Sequence, residues 1–128
     1  MRGKEEYLLC KNVAAYLRLQ YPKVLYHFDL AGLNLSRAQA GMMKAIQGYR
    51  GYPDLFIADK RDNFSGLFLE LKKEGTKIYL KDEITLVADS HIREQAAILE
   101  LLRQRYFCAE FAIGFNEAKK IIDKYLSI

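Results

Sequence analysis

The sequence predicts a small α/β protein, a mixed β-sheet flanked by helices. Three observations predict it. Amphipathic stripes at helical spacing open and close the chain, short apolar runs of strand length lie between polar turns, and the two kinds of segment alternate. At 128 residues, positions 1–128 read as one domain, large enough to bury a single core.

The elements follow in order. From about Lys4 to Gln20 the chain fits a helix, with Leu9, Val13, Tyr16 and Leu17 on one stripe, and Pro22 ends it. "KVLYHF" then reads as a short strand and "DLAGLNL" as a loop. "SRAQ" has the form of a capping box, opening a helix that stops near Gly48. "DLFIAD" and "GLFLEL" are strands, and the polar turn "KRDNFS" between them suggests a hairpin. From Lys72 to Asp89 the chain is polar and lysine-rich, with a small hairpin expected around "KIYLKDEITLVA". A helix from about His91 to Gln104 follows, capped by Asp89 or Ser90. "YFCAEFAI" is a strand, and "NEAKKIIDKYL" is a closing amphipathic helix. The order is α, β, α, β, β, α, β, α.

Composition narrows the function classes. A hydrophobic fraction of 51% and a charged fraction of 28% are ordinary for a folded domain. Net charge is +4 with a pI near 9.0, which favours an anionic partner without naming it. Cys10 and Cys108 lie in apolar settings with no CxxC and no nearby histidine pair, so two buried, reduced thiols are expected rather than a disulfide or zinc site. "MRGKEEYLLCKNVAAYLRLQ" is too interrupted by charge for a signal peptide or membrane span. A cytosolic protein with no membrane partner is the expectation.

Polar residues break the apolar pattern at telling places. At 100° per residue, Glu6 falls between Val13 and Leu17 on the first helix's stripe. Gln95 falls inside the stripe of Ile92, Ala96, Leu99 and Leu102. Strand alternation puts Glu70 and Lys72 of "LFLEL" and "K" on one face, and Asp54 opens the preceding strand. Each buried charge costs several kcal/mol, on the order of the usual desolvation penalty, unless it is compensated. A shared divalent cation compensates two or three carboxylates at once. Oxygen ligands with no His or Cys cluster point to Mg²⁺ or Mn²⁺.

Proline–aspartate at a strand start, then Glu-x-Lys on the next strand, gives the pattern "PD…ELK". It resembles the PD-(D/E)xK nuclease superfamily, whose core is restriction-endonuclease-like. The fuller string "GYRGYPDLFIA…GLFLELKKEG…HIREQAAILELLRQRYFCAEFAIGFNEAKKIIDKYL" resembles the VRR-NUC family of virus-type replication and repair nucleases, from about Glu6 to Leu126. Gly51-x-Pro53-Asp54-Leu55, Glu70-Leu71-Lys72, Gln95 and "GFNEAKKIIDKYL" carry it. The chain departs at "RQRYF", where a Gly-Tyr is common before the last strand.

The resemblance implies that Asp54, Glu70 and the backbone carbonyl of Leu71 ligate Mg²⁺ or Mn²⁺. It places Lys72 close enough to orient the attacking water or neutralise developing charge. Beside two carboxylates, Lys72 is read as a charged partner rather than a free base. Gln95 is expected to hydrogen-bond Lys72 or the water, and Glu6 to hold Lys72 or a metal-bound water. His91 is read as a first-turn helix residue, and His27, at the end of its strand, as a DNA contact. Arg37, Lys44, Arg50, Lys73, Lys77, Lys81 and Arg93 flank the motifs and are expected to meet phosphates.

The implied activity is a metal-dependent DNA endonuclease acting on branched or four-way junction DNA, in DNA repair or in a phage-encoded setting within a bacterial host. A homodimer suits paired cuts in a symmetric junction. Two alternatives stand beside it. One is a non-catalytic DNA-binding or scaffold subunit that keeps the fold, against which the intact Asp54, Glu70 and Lys72 count. The other is a nicking or restriction-like endonuclease with sequence preference.

Overall fold

The computed structural model describes residues 3–29 and 35–128, and the eight elements occur in the expected order. The loop expected over "DLAGLNL" falls largely on residues 30–34, outside the described residues. Helix α1 (Lys4–Gln20) buries Leu9, Val13 and Leu17 and ends where the Tyr21 N–H donates to the Leu17 carbonyl, just before Pro22. Strand β1 is Tyr26–Phe28, helix α2 Arg37–Ile46, β2 Leu55–Ile57 and β3 Leu67–Lys72. Helix α3 (Ser90–Arg103), β4 (Cys108–Ile113) and α4 (Phe115–Leu126) complete the chain.

The four strands form one sheet in the order β1-β2-β3-β4. The first two pairings are antiparallel, and β3 with β4 is parallel, with α3 as the crossover that a parallel pair requires. One face carries Leu55, Ile57, Leu67, Leu69 and Leu71 and packs on α1 and α4 through Val13, Leu17, Ala118 and Ile122. The other carries Phe68 and Ala109 and packs on Ile98, Leu99 and Leu102 of α3. Phe56 stacks on Phe68 there, with ring centroids 4.5 Å apart. Covered on both faces, β3 is buried at five of its six positions, which explains its nearly unbroken apolar run.

Both expected caps form. Ser36 accepts from the Gln39 N–H while Gln39 Oε1 accepts from the Ser36 N–H, a complete capping box. Asp89, not Ser90, caps α3 by accepting from the His91 and Ile92 N–H groups at 2.9 and 3.1 Å. Strands β1, β2 and β4 are shorter than their expected runs, while β3 keeps its six residues. "KIYLKDEITLVA" reduces to one bridge, Tyr79 to Leu86, around a turn in which Asp82 Oδ1 accepts from the Ile84 and Thr85 N–H groups.

The cysteines correct an expectation. Both are free, but each is half-buried rather than buried. Cys108 lies on the terminal strand of the sheet, its Sγ 3.7 Å from Glu110 Oε2. Desolvation, then the Glu110 charge, pushes its thiol up to about 11, so it stays protonated at neutral pH.

Candidate metal centre

Asp54 enters the site from the segment that feeds β2. Tyr52 sets its ring edge-on to Phe68 at 5.6 Å, and Pro53 is buried beneath. Leu55 pairs with Leu69 in the antiparallel register, so one step further Asp54 stands opposite Glu70. Both share a face with Phe56 and Phe68, the face covered by α3. Asp54 is 6% exposed and Glu70 2%, and they are the polar side chains buried most deeply among the described residues.

Asp54 Oδ2 accepts from the Leu71 N–H at 2.8 Å. Beyond the end of β2 that amide has no ladder partner on this side, and the carboxylate replaces it. The N–H and C=O of one strand residue point to the same edge, so the Leu71 carbonyl opens toward the Asp54 side. The next carbonyl, of Lys72, points the other way and accepts from the Gly114 N–H at 2.8 Å. Asp54 and Glu70 thus stand opposite one another just beyond the end of β2, with the Leu71 carbonyl on the edge facing Asp54. All three donors are oxygen, the set a hard cation takes.

Lys72 lies on the same face, its Nζ 3.9 Å from Glu70 Oε2 and its side chain mostly covered. Gln95, on the second turn of α3, donates through Nε2 to Glu70 Oε2 at 3.4 Å. Its Nε2 thus engages Glu70, a partner not among those expected. An amide N–H needs an acceptor, and Lys72 offers only donors. The buried Gln95 Oε1 has no hydrogen-bond partner among the described residues, as suits an atom facing a bound water or ligand.

Glu6 occupies the first turn of α1, half-buried, on the helix that covers the opposite face of the sheet. Among the described residues no three His, Cys, Asp or Glu side chains gather as a metal site. His27 is not at a strand end. It is the middle residue of β1, exposed and opposite Phe56, hence on the same sheet face as Asp54. The three-residue strand is shorter than "KVLYHF", which moves its centre onto His27.

His91 is exposed in the first turn of α3 as expected. Arg37, Lys44, Arg50, Lys73, Lys77, Lys81 and Arg93 are all exposed. Arg50 precedes the segment that leads into Asp54, and Lys73 follows Lys72. Arg93 Nε is engaged locally, donating to the Val87 carbonyl at 3.2 Å.

Asp89 is a residue the sequence reading gave only a capping role. The Ile92 N–H holds its carboxyl below the usual range, against the effect of desolvation, and the His91 N–H and the charges of His91 and Lys72 add to this. It thus belongs to the electrostatic surroundings of Lys72. A cleft of about 770 Å³ lies along β4 beside Tyr79, Arg103, Phe111 and Ile113; Lys77 and Lys81 line it, but Asp54, Glu70, Lys72 and Gln95 do not.

A solved structure described as a VRR_NUC domain protein is similar to this chain, with a TM-score of 0.69 and 23% identity over 99% of this chain and 92% of that one. The two share a fold. No family model matches the sequence, and no curated protein sequence matches it. The small α/β architecture, a mixed four-stranded sheet flanked by helices, agrees with that VRR_NUC fold. Among the described residues no helix is long and apolar enough to cross a membrane.

Proposed function

We propose that this protein is a Mg²⁺- or Mn²⁺-dependent endonuclease that hydrolyses DNA phosphodiester bonds, preferring branched or four-way junction DNA. The buried pair Asp54 and Glu70, opposite one another at the end of β2, carries the reading. Two neighbouring buried carboxylates repel one another, and positive charge nearby offsets that repulsion. Lys72 supplies part of it and a divalent cation the rest. The fold shared with a VRR_NUC domain protein agrees with a nuclease-type domain.

Asp54, Glu70 and the Leu71 carbonyl would hold the ion, which when bound lowers the pKa of water and neutralises charge on the phosphoryl oxygens. Lys72, tethered by Glu70, presents its ammonium where the phosphoryl group gains charge. The Gln95 N–H fixes Glu70 Oε2, and its free Oε1 can accept from a water. Glu6, in the first turn of α1, is included as support for Lys72 or for a water at the site. His27 and the exposed cations meet the phosphate backbone without reading sequence.

A two-fold homodimer is part of the proposal, since two cuts in a symmetric junction need two sites related by an axis. Helix α2 supports it. It buries no residue, and Met42 and Ile46, one turn apart, are 71% and 80% exposed, with Tyr49 at 68% just beyond.

Cleavage of junction, flap, duplex and single-stranded DNA, with Mg²⁺ and with chelator, tests the reading. Asp54→Asn and Glu70→Gln are expected to lose about 100-fold or more in rate while staying folded, because several kcal/mol of charge stabilisation goes with the ion. Wild-type rates in either variant would refute the assignment. DNA binding without cleavage by the wild type would favour the non-catalytic subunit instead.

A further inference from the structure

We propose that Gly51 is a positioning residue: its bare Cα seats the segment entering β2 against the backbone of α3 at Gln95, and so sets where Asp54 stands relative to Glu70. This rests on the endonuclease reading above and concerns the same site. Gly51 has φ 77°, in the left-handed region. A Cβ there would lie 3.1 Å from the Gln95 nitrogen, 3.2 Å from the Glu94 carbonyl carbon and 3.3 Å from the Gln95 Cα. These are helix backbone atoms and cannot rotate aside, so the Gly51 segment itself would have to move.

Movement there reaches Asp54 within three residues. The segment between is held by Tyr52 against Phe68 and by buried Pro53. Asp54 is further pinned by its carbonyl, which accepts from the Asp29 N–H at 2.8 Å, and by its side chain on the Leu71 N–H. Gln95 thus references both acids. Its backbone seats the Asp54 segment and its side chain holds Glu70 at 3.4 Å. A shift of a few tenths of an ångström, roughly the tolerance of a working site, changes the spacing of the two carboxylates. A hard ion with short, near-octahedral bonds is sensitive to that change.

Gly75 provides the control. Its φ is 85°, yet an added Cβ would meet nothing within 4 Å. Gly51→Ala and Gly75→Ala therefore share the backbone penalty, and Gly51→Ala alone adds the contact with α3. Mn²⁺ titration calorimetry, thermal unfolding without metal, and Mg²⁺-supported cleavage of one junction substrate are measured on both variants and the wild type. Both alanine variants are expected to melt at lower temperature, and Gly75→Ala to keep wild-type Mn²⁺ affinity. Gly51→Ala is expected to bind Mn²⁺ about tenfold or more weakly, with kcat reduced and KM for DNA unchanged, as a loosened site should behave.

If Gly51→Ala does not fold, Gly51→Asn accepts the left-handed backbone, carries the same Cβ and is read in the same way. Wild-type Mn²⁺ affinity in a folded Gly51 variant overturns this inference alone. Failure of the wild type itself to bind Mn²⁺ removes the endonuclease reading, and this inference with it.

Discussion

Residue by residue, the site is assembled from side chains that each satisfy a neighbour's need. Asp54 takes the amide that β2 leaves unpaired, and Gln95 gives a donor to Glu70. Lys72 lies 3.9 Å from Glu70, and the proposal gives it the role of a charge partner and not of a ligand. Lys72→Ala should therefore cut slowly, by roughly 100-fold as for other lost charge stabilisers, while Mn²⁺ binding measured by calorimetry persists. Loss of metal binding in that variant would make Lys72 structural. A second residue-level prediction concerns the turn at "RQRYF". Tyr106 is exposed and held at φ 69°, a conformation that costs a bulky residue about 1–2 kcal/mol. Tyr106→Gly relieves this and should raise stability by about 1 kcal/mol in denaturant unfolding, less the extra entropy of glycine in the unfolded chain.

Between elements, the helices of one face are tied by a polar clasp. Tyr16, near the end of α1, and Tyr21, just past it, both donate to Asp123 Oδ1 of α4, at 2.6 and 2.7 Å, and Lys119 reaches Oδ2 at 3.2 Å. Desolvation works to raise the Asp123 pKa, but the three hydrogen bonds outweigh it and the carboxyl sits below its ordinary value. A depressed folded-state pKa stabilises fully above the unfolded value, near about 3.9, and that contribution is lost as pH falls through the folded one. Asp123→Asn should cost about 1–2 kcal/mol at neutral pH, after allowance for its partial exposure. The gap from wild type should close in acid. Unfolding curves at pH 7 and pH 3 check both halves, and an equal gap at the two would remove the clasp from the stability account.

For the whole molecule, charge and assembly set the behaviour. A net charge of +4 and seven exposed cations around the motifs predict DNA affinity that falls steeply with salt, about as the number of phosphates contacted. Binding isotherms from low to moderate salt should give a linear fall in log affinity, and a flat line would exclude the backbone-contact reading. Light scattering at micromolar concentration should give a dimer mass, and Met42→Glu with Ile46→Glu should make it monomeric. A monomer that stays monomeric with junction DNA would end the paired-cut proposal while leaving the metal centre untouched, since Asp54, Glu70 and Leu71 all come from one chain.

The sequence by itself determined the order of elements, the Ser36 capping box, the α3 cap to within Asp89 or Ser90, and the face shared by Glu70 and Lys72. Each depends on local rules: spacing along one helix, alternation along one strand, a side chain reaching an amide within three residues. It also marked Gln95 as out of place on an apolar stripe, but not its partner. That choice needed the distance between α3 and β3, which no local period encodes. The length of β1, and with it the position of His27, was settled by where pairing with β2 runs out. The half-burial of Cys108 followed from its place on the last strand of the sheet. The seat of Gly51 was decided only in three dimensions, because a glycine in sequence states freedom of the backbone, and what it approaches is set by the packing of a helix some forty residues away.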